Sequence, residues 1–303
     1  MNRMAIVTPS FNQGKYIRRT VESILSQEIR DLDYLVMDGG STDETVSILK
    51  SFGEKIRWKS EPDKGTADAI NKGFLATQSE FIAWLNSDDI YYPGTLETVT
   101  EFFDSHPEID VVYGDANHID AEDRVLETYP TEPFSWERLI ETCIISQPAA
   151  FFRRHAIEQF GFLDATFPNS VDYELWVRWA KNGVKFQYLP KLLAATRIHP
   201  EAKTIANRVA CHKDNNDILK KYVGEVPTRW LFAYAFAVVE ERGLSRTREF
   251  AFISVLTWEF VRASLRWNRS IPKDLLETVK NYVRRKIADR TLSRRKDKNE
   301  RRI

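Results

Sequence analysis

Short, nearly continuous apolar runs alternate with helical patterns along the first two thirds of this sequence. Between the runs, apolar residues recur at helical spacing, as Leu96, Val99 and Phe103 do. The runs are MAIV at 4–7, YLVM at 34–37, FIAWL at 81–85, DVVYG at 110–114 and VKFQYL at 184–189. The early runs are nearly continuous in apolar residues, which is typical of parallel strands that are covered on both faces. The alternation therefore predicts an α/β fold, in which helices connect the strands of a mostly parallel, Rossmann-like central sheet.

The pattern changes after Thr204. From there to Tyr282 the strand signals stop, and longer amphipathic patterns predict a C-terminal α-helical region. We therefore place a domain boundary near residue 205, between a domain at 1–204 and a helical region at 205–303. No stretch approaches the roughly 20 uninterrupted apolar residues that a membrane-spanning helix needs. The first apolar run is also too short for a signal-peptide core.

The charge balance and the cysteine content restrict the partners and the cellular compartment that we expect for this protein. Lys plus Arg and Asp plus Glu both number 44, so no overall field draws the chain to nucleic acid. Cys143 and Cys211 lie far apart without C-x-x-C spacing, which argues against a disulfide framework or a thiolate metal site. We therefore expect a cytoplasmic protein in a reducing environment.

Polar segments follow four of the predicted strands, and in sheets of this type ligands bind at the carboxyl ends of the strands. The segments are TPSFNQGKYI, DGGSTDETV, SEPDKGTADAINKG and NSDD. Asp88 and Asp89 in the last of them could seat Mg²⁺ or Mn²⁺ against a diphosphate, because hard cations prefer carboxylate oxygens. Alternatively the pair only opens a turn before Pro93. A plain strand–turn–helix connection also explains residues 39–43, but burying Asp38 without a partner is costly.

Four motifs occur in the order found in family 2 glycosyltransferases: TPSFNQGKYIRRTVESILSQ, VMDGGSTDETVSIL, EPDKGTADAINKG and WLNSDDIYYPGTL. Two later segments continue the match, SQPAAFFRRHAIEQFGFLDATFPNSVDYELWVRWAKNG and TRIHPEAKT, so that it covers about residues 4–204. Each motif alone is weak, but the ordered set is specific. The chain thus resembles an inverting glycosyltransferase of the GT-A fold.

The resemblance implies which residues bind the nucleotide. In the family, the first strand-loop and the acid after the second strand hold the base, and a D-x-G-x-x-D-A segment lies against the base and ribose. The residues implicated in this way are Thr8, Ser10, Asp38, Asp63, Lys64 and Asp68.

The family's DXD motif falls on Asn86, Ser87 and Asp88, with Asp89 next. Asn86 departs from the pattern, since many members have Asp there and an amide cannot supply the same charge. The resemblance therefore implies a donor contact at Ser87 and a divalent metal, Mg²⁺ or Mn²⁺, held by Asp88 with help from Asp89. It also implies that TRIHPEAKT folds over the diphosphate, with His199 as a metal ligand. Arg197 in that segment could face either the diphosphate or solvent.

Transfer with inversion needs a base, because the acceptor hydroxyl loses a proton as it attacks the anomeric carbon. The resemblance puts this base at Asp172, where many members read Glu-Asp and this sequence reads Val-Asp. Two alternatives stay open. Asp172 could be an N-terminal helix acid favoured by the helix dipole, and Glu174 could be the base instead. Gln147 is expected to line the acceptor side.

We therefore expect an inverting, metal-dependent glycosyltransferase of hexosyltransferase type. It would move a sugar from a nucleotide-diphosphate donor, with a UDP-sugar favoured, to a hydroxyl of a glycan or lipid-linked acceptor in cell-surface polysaccharide biosynthesis. A non-catalytic module that binds nucleotide or glycan is the alternative, and Asn86 favours it. A sugar-nucleotide pyrophosphorylase shares the architecture, but TPSFNQGKY lacks the Gly-rich loop of that class.

The C-terminal patterns WLFAYAFAVVEERG and EFAFISVLTWEFVRASLRW predict amphipathic helices that are too polar to span a bilayer. Residues 284–303 carry ten basic and three acidic side chains. This excess favours an anionic membrane surface, where Trp258, Trp267 and Tyr282 could anchor. We expect peripheral association with the cytosolic face of the membrane and no binding of nucleic acid. The alternative is that these helices pack among themselves, on the catalytic domain or in a homo-oligomer.

Overall fold

The structure is a computed structural model that describes residues 3–27, 29, 31–244, 249–273, 275, 277 and 280. It divides into two compact units, which meet in sequence at Val223 and Gly224. This division lies beyond the domain boundary predicted near residue 205, because the helix Arg208–Tyr222 contacts the helix Val171–Lys181 within the first unit. Tyr282 and the basic tail at 284–303 lie outside the described residues.

A nine-stranded sheet forms the centre of the first unit. Its strands are β1 (Met4–Ser10), β2 (Leu32–Asp38), β3 (Arg57–Ser60), β4 (Phe81–Trp84), β5 (Ile90–Tyr91), β6 (Val111–Ile119), β7 (Val125–Thr128), β8 (Ala150–Arg153) and β9 (Phe186–Arg197). Their order is β3-β2-β1-β4-β8-β6-β9-β5, with β7 paired to β6. β1 pairs in parallel with β2 and β4, and β6 pairs in parallel with β9. The antiparallel pairs, such as β4 with β8, are short, so the prediction of a mostly parallel sheet is confirmed.

Helices connect and cover these strands in the first unit and build the described part of the second. They are α1 (Ile17–Leu25), α2 (Thr45–Ser51), α3 (Thr66–Leu75), α4 (Thr95–Ser105), α5 (Trp136–Glu141), α6 (Arg154–Phe160), α7 (Val171–Lys181), α8 (Lys203–Ala206), α9 (Arg208–Tyr222), α10 (Thr228–Glu241) and α11 (Glu249–Asn268). The predicted apolar stripe of α4 is buried at Leu96, Val99 and Phe103. The C-terminal region is helical, as predicted.

The core of the first unit lies on both faces of the sheet. Every residue of β1 is buried, which explains why its sequence shows no polar side. On one face, Trp84 at the end of β4 stacks on Trp176 of α7, with ring centroids 5.9 Å apart. Aromatic pairs of this kind contribute about 0.5–1.5 kcal/mol beyond the area that they bury. This packing anchors the first turns of α7 to the carboxyl end of β4.

The second unit contains the helical hairpin of α10 and α11. Aromatic side chains fill its seam, including Phe232 against Phe260 with ring centroids 5.7 Å apart and Tyr234 against Trp267 at 4.9 Å. These aromatic side chains of α10 and α11 therefore pack on each other, as the alternative to membrane binding predicted. Trp267, one of the predicted membrane anchors, is buried in this seam. None of the helices within the described ranges is long and apolar enough to cross a membrane.

Candidate active site

A cavity of about 590 Å³ opens where the first parallel strands and β9 end. Its wall includes Ser10 at the end of β1, Gly39 after β2, Asp63 after β3, Asp88 after β4 and Arg197 at the end of β9. The polar segments that follow the strands in the sequence thus come together at one edge of the sheet, as expected for parallel strands with crossover helices.

Ser10 and Phe11 give one part of the cavity wall a buried hydroxyl group and an exposed aromatic ring. The Ser10 hydroxyl is buried and has no hydrogen-bond partner among the described residues. Beside it the ring of Phe11 is 59% exposed. A Cβ on Gly39 would lie 2.7 Å from an oxygen of Asp63, so only glycine lets that carboxylate approach the end of β2. An exposed flat ring beside polar acceptors suits a nucleobase.

Thr8 and Asp38 lie deeper than predicted. Thr8 is fully buried in β1, and its hydroxyl accepts a hydrogen bond of 3.2 Å from Tyr34. The Asp38 carboxylate accepts hydrogen bonds from the backbone N–H of Ser41 and from the Ser60 hydroxyl. Because these oxygens are held by the loops of the site, Asp38 shapes the wall of the cavity. A direct contact of either residue with a base stays a prediction.

Among the predicted residues after β3, only Asp63 lines the cavity. Asp68 in the first turn of α3 accepts the backbone N–H of Lys64 at 3.0 Å and forms an ion pair with Lys72 at 2.9 Å. The hydrogen bond from Lys72 lowers the pKa of the Asp68 carboxyl, and the Lys64 N–H adds to this effect. Asp68 therefore holds the loop that carries Asp63, and the roles of Lys64 and Asp68 toward the nucleotide stay predictions.

Asp88 lines the cavity, and the buried His199 lies beside it although the two residues are 111 apart in the chain. Asp88 Oδ2 lies 3.0 Å from His199 Nε2, and Glu201 Oε2 lies 3.1 Å from His199 Nδ1. The hydrogen bond with Asp88 raises the pKa of His199, and Glu201 raises it further, while burial opposes both. Ser87 is buried beside Asp88 and also lines the cavity. The structure thus places two of the three predicted metal ligands side by side.

Asp89 differs from Asp88, because its carboxylate is 2% exposed and engaged within the protein. Its Oδ1 accepts the backbone N–H of Arg197 at 2.9 Å, and its Oδ2 accepts a hydrogen bond from Asn86. Burial, reinforced by the Asp88 carboxylate, raises the pKa of Asp89 well above its ordinary value. Of the acidic pair, Asp88 is therefore the better placed ligand, and metal ligation by Asp89 stays a prediction.

Arg197 lines the cavity, but its guanidinium is engaged within the protein and pairs with Asp123. The side chain is buried and donates to the backbone carbonyls of Asp88 at 2.9 Å and Asp120 at 2.7 Å. The guanidinium also lies over the ring of Tyr16, 5.0 Å from its centroid. Arg197 therefore ties the Asp88 turn to the end of β9, two residues before His199.

The donor groups of Asp88 and His199 fit a hard divalent cation. No group of three or more His, Cys, Asp or Glu side chains within the described ranges is placed to hold a metal by itself. Mg²⁺ and related ions, however, commonly take one or two protein ligands and complete their coordination with substrate phosphate and water. One carboxylate oxygen on the cavity wall and one imidazole nitrogen beside it match that type of site.

Asp172 stands in the first turn of α7 and is half-buried. Burial raises the pKa of its carboxyl, while N–H groups of the helix terminus and the positive charge of Lys203 oppose the shift. Lys203 itself lines the cavity. Asp172 is not among the residues that line the cavity, and its link to the site is the electrostatic interaction with Lys203. A raised pKa is nevertheless a property expected of a general base. The N-terminal helix position is also observed, so the two interpretations of Asp172 are compatible.

Glu174, the alternative base, is fully buried and bonded to Arg178 at 2.8 Å and to the Tyr222 hydroxyl. We therefore expect Glu174→Gln to lower the free energy of unfolding by about 2 kcal/mol, because a charged hydrogen bond becomes a neutral one. Urea unfolding measures this loss. Transfer by the folded variant at low temperature should match wild type, and a selective loss of turnover without a loss of stability would contradict this structural role.

A second, larger and more open pocket of about 800 Å³ lies beside β3. Its lining cations, Arg57, Lys59 and Lys72, are each already paired with a carboxylate. The smaller cavity at the strand ends, by contrast, has an unpartnered hydroxyl and two converging candidate ligands. We therefore assign the site to that cavity.

Three cavity features were missed from the sequence: the exposed ring of Phe11, the contact of Glu201 with His199, and the approach of Lys203 toward Asp172. Phe11 and Lys203 belong to segments that were singled out for other residues. The available signal for Phe11 was an aromatic residue within the polar segment that follows the first predicted strand. The Glu201 contact spans only two residues, but nothing in its type or spacing distinguishes it from an ordinary surface carboxylate.

Comparisons with known proteins agree with this architecture. An uncharacterized glycosyltransferase of Rickettsia typhi is 27% identical over 215 residues, which are 66% of this chain and 65% of that protein. Chondroitin synthase of Escherichia coli is 29% identical over 217 residues, which are 70% of this chain and 31% of the synthase. This chain thus spans between about a third and two thirds of the length of the curated relatives described here.

Two solved structures share the fold. S. aureus TarS 1-349, solved in complex with UDP, has a TM-score of 0.58 at 18% identity and matches 93% of this chain and 91% of its own. The mannosyltransferase PcManGT from Pyrobaculum calidifontis, solved with GDP-Man and Mn²⁺, has a TM-score of 0.59 at 16% identity and matches 93% and 79% of the two chains. The fold is accordingly of the GT-A type.

The family assignment rests on the sequence itself. The model of glycosyl transferase family 2 matches residues 5–161. That range contains the ends of β1, β2, β3 and β4, and so most of the cavity wall described above. Because the match covers more than half of the sequence, this chain belongs to glycosyl transferase family 2.

Proposed function

We propose that this chain is an inverting, metal-dependent glycosyltransferase that transfers a sugar from a nucleotide-diphosphate donor, a UDP-sugar, to a hydroxyl of a glycan or lipid-linked acceptor. The observation that carries the proposal is the contact of Asp88 with His199 at 3.0 Å, because Asp88 lines the same cavity as Ser10 and Phe11. A divalent ion site beside a place for a nucleobase is what a nucleotide-diphosphate sugar requires.

Different residues of the site bind different parts of the donor in this reaction. Phe11, Ser10 and Asp63 hold the nucleoside, and Asp88 with His199 would hold Mg²⁺ or Mn²⁺. The ion, when bound, stabilises the negative charge that develops on the leaving diphosphate. Glu201 orients the imidazole of His199 through Nδ1.

Asp172 accepts the proton of the acceptor hydroxyl in the proposed reaction. The hydroxyl oxygen forms a bond to the anomeric carbon as the bond to the diphosphate oxygen breaks, and the proton passes to the carboxylate. Burial supports this role because it raises the pKa of Asp172 and makes the carboxylate a stronger base. Lys203 limits the shift by its positive charge.

The relatives support the donor class. TarS has been solved with UDP and with UDP-GlcNAc, and PcManGT with GDP-Man and Mn²⁺. Relatives of this chain include the chondroitin synthase of Escherichia coli and the hyaluronan synthase of Pasteurella multocida. We extend these activities to the present chain as a proposal for cell-surface polysaccharide biosynthesis.

A donor panel tests the proposal. We expect the protein to hydrolyse one UDP-sugar from a panel of UDP- and GDP-sugars, and EDTA should lower the rate at least tenfold because it removes the ion from the diphosphate. Added Mn²⁺ or Mg²⁺ should restore the rate, while Ca²⁺ serves as the control ion.

Other outcomes identify the alternatives. Tight nucleotide binding without turnover of any donor would indicate the non-catalytic module. Release of pyrophosphate from a nucleoside triphosphate and a sugar phosphate would indicate a pyrophosphorylase.

We also propose that α11 lies on the cytosolic surface of an anionic membrane, near lipid-linked acceptors. Trp258 and Leu265, seven residues apart, share one helix face and are 61% and 49% exposed. Arg262, Arg266 and Arg269 accompany this apolar stripe. Exposed Trp and Leu beside several arginines are typical of helices that lie at anionic lipid interfaces.

Vesicle sedimentation tests this association. We expect the full chain to sediment with vesicles that contain anionic phosphatidylserine and to release at high salt, because screening weakens its arginine contacts. The double variant Trp258→Ser, Leu265→Ser should reduce binding about tenfold, since it loses roughly 2 kcal/mol or less of apolar burial per side chain. Exposed Leu75 of the first unit provides the matched control, Leu75→Ser, which should bind as wild type. Failure of the full chain to bind at low salt would overturn the membrane proposal.

A further inference from the structure

Asn86 occupies the place in the DXD motif where many members of the family have an acid, and its amide group is engaged on two sides. The Nδ2 atom donates to Gln147 Oε1 at 3.0 Å and to Asp89 Oδ2 at 3.3 Å. Asn86 follows β4, whereas Gln147 belongs to the turn just before β8. The amide therefore bridges two segments that are 61 residues apart in the chain.

The orientation of both amides follows from one backbone carbonyl. Gln147 Nε2 donates to the carbonyl oxygen of Trp84 at 2.8 Å. Because a carbonyl can only accept, Gln147 must turn its NH₂ group toward Trp84 and its oxygen toward Asn86. Asn86 must then present its own NH₂ group to Gln147. The same orientation also provides the donor that Asp89 Oδ2 needs.

A carboxylate at residue 86 could not make these contacts. An ionised Asp would accept only, and it would face two further acceptors, Gln147 Oε1 and the buried Asp89 carboxylate. A buried acceptor that loses its donor costs about 1–3 kcal/mol, and more when the group is charged. In this chain, the amide is thus the group that the neighbouring oxygens require.

Further hydrogen bonds connect Asn86 to the segments that carry both candidate metal ligands, Asp88 and His199. Asp89, held by Asn86, accepts the backbone N–H of Arg197, and Arg197 donates to the backbone carbonyl of Asp88. Asp88 itself stands between Asn86 and Asp89 in the turn, and His199 follows Arg197 by two residues. The network therefore joins the turn after β4 to the end of β9.

We propose that Asn86 is a positioning residue, whose NH₂ group holds the turn of Asp88 and Asp89 in register with the segment of His199 and so sets the spacing of the two metal ligands. This inference rests on the proposed function. The departure from DXD is then a requirement of this chain, and an acid at residue 86 weakens the metal site although it adds negative charge.

The sign of the effect on metal affinity tests the inference. Calorimetric titration of Mn²⁺ into the full-length protein saturated with UDP measures this affinity without turnover. We expect Asn86→Asp to weaken Mn²⁺ binding at least tenfold and Asn86→Ala to weaken it less, because alanine removes the donor without adding an acceptor. In the transfer assay, Asn86→Asp should need more Mn²⁺ for half-maximal rate, and excess Mn²⁺ should partly rescue it. Asn86→Ala and Gln147→Ala should have non-additive effects, since both break one network.

Asn71 provides the matched control for a purely structural amide. Its side chain donates to the backbone carbonyl of Leu163 at 2.9 Å and accepts the N–H of the same residue. Asn71→Asp should lower the melting temperature and leave Mn²⁺ affinity unchanged. Equal or tighter Mn²⁺ binding by Asn86→Asp would overturn the inference alone. Absence of any Mn²⁺–UDP binding by the wild-type protein would overturn the inference together with the proposed function.

Discussion

We expect Asp88→Ala to abolish sugar transfer and to leave the protein folded. The substitution removes the cavity-facing carboxylate that lies 3.0 Å from His199. An ion on a leaving diphosphate contributes several kcal/mol to the transition state, and about 4 kcal/mol corresponds to a rate loss of roughly 10³-fold. The melting temperature should change little, because Asp88 is half-buried in a turn after β4. Turnover with and without Mn²⁺, together with a melting curve, measures both effects.

A second carboxylate serves as the control for Asp88. Asp104 of α4 pairs with Arg3 and has a side chain that is 49% exposed. Asp104→Ala removes one negative charge from the surface and should keep wild-type turnover. His199→Gln should behave as Asp88→Ala does, with a smaller loss if the carboxylate still holds some metal. Full metal-stimulated activity of a folded Asp88→Ala protein would exclude Asp88 from the metal site.

Asp172→Asn should separate binding from chemistry. The amide keeps the shape of the side chain, so calorimetry should give the same affinity for the nucleotide. It cannot accept the proton of the acceptor hydroxyl, and kcat should fall by about 10² to 10⁴. Equal losses of affinity and turnover would make Asp172 a donor-binding residue. An unchanged kcat would exclude it as the base.

The pH dependence gives an independent readout for Asp172. Burial raises the pKa of its carboxyl, and the protonated form is inactive as a base. The rate of the wild-type protein should therefore decline on the acid side at a pH above about 3.9, the ordinary value for Asp. Lys203→Met should move this decline to still higher pH, because the positive charge of Lys203 lowers the pKa of Asp172. Asp172→Asn should lack this dependence.

The ionised carboxylate of Asp172 should lower the stability of the folded protein, although the proposed reaction requires it. Because the folded-state pKa lies above the unfolded value, ionisation of this carboxyl is less favourable in the folded protein. Its charge therefore lowers stability once the pH exceeds the unfolded pKa. At neutral pH the melting temperature of Asp172→Asn should equal or exceed that of wild type, whereas Glu174→Gln should melt earlier.

The strands that carry the site were predictable because a buried strand appears in the sequence as a run of consecutive apolar residues. Each of the strands β1, β2, β4, β6 and β9 overlaps one of the five apolar runs. β1 and β4 are buried along their whole length, since a parallel strand covered on both faces has no polar side, whereas β9 alternates between buried Phe186 and exposed Gln187. β7 shows the limit of this signal. All four of its residues are exposed, and its strand conformation depends on antiparallel pairing with β6, which no local pattern indicates.

The predicted site residues show a similar division. The order of the polar segments along the chain placed Ser10, Asp63 and Asp88 at the strand ends, and the structure puts all three in one cavity. The orientation of each carboxylate was not predictable. Asp38 and Asp89 turn inward to backbone and hydroxyl donors. Residue type alone does not distinguish a carboxylate that is already bonded from one that is free.

The sequence by itself determined the fold class, the positions along the chain of most strands that carry the site and the membership of family 2, because burial and motif order are properties of neighbouring residues. Tertiary structure alone decided which polar groups meet. Asp88 and His199 are 111 residues apart, and Asn86 and Gln147 are 61 apart. Hydrogen bonds act over about 3 Å and in fixed directions, so their partners are set by the pairing of distant strands and not by spacing along the chain.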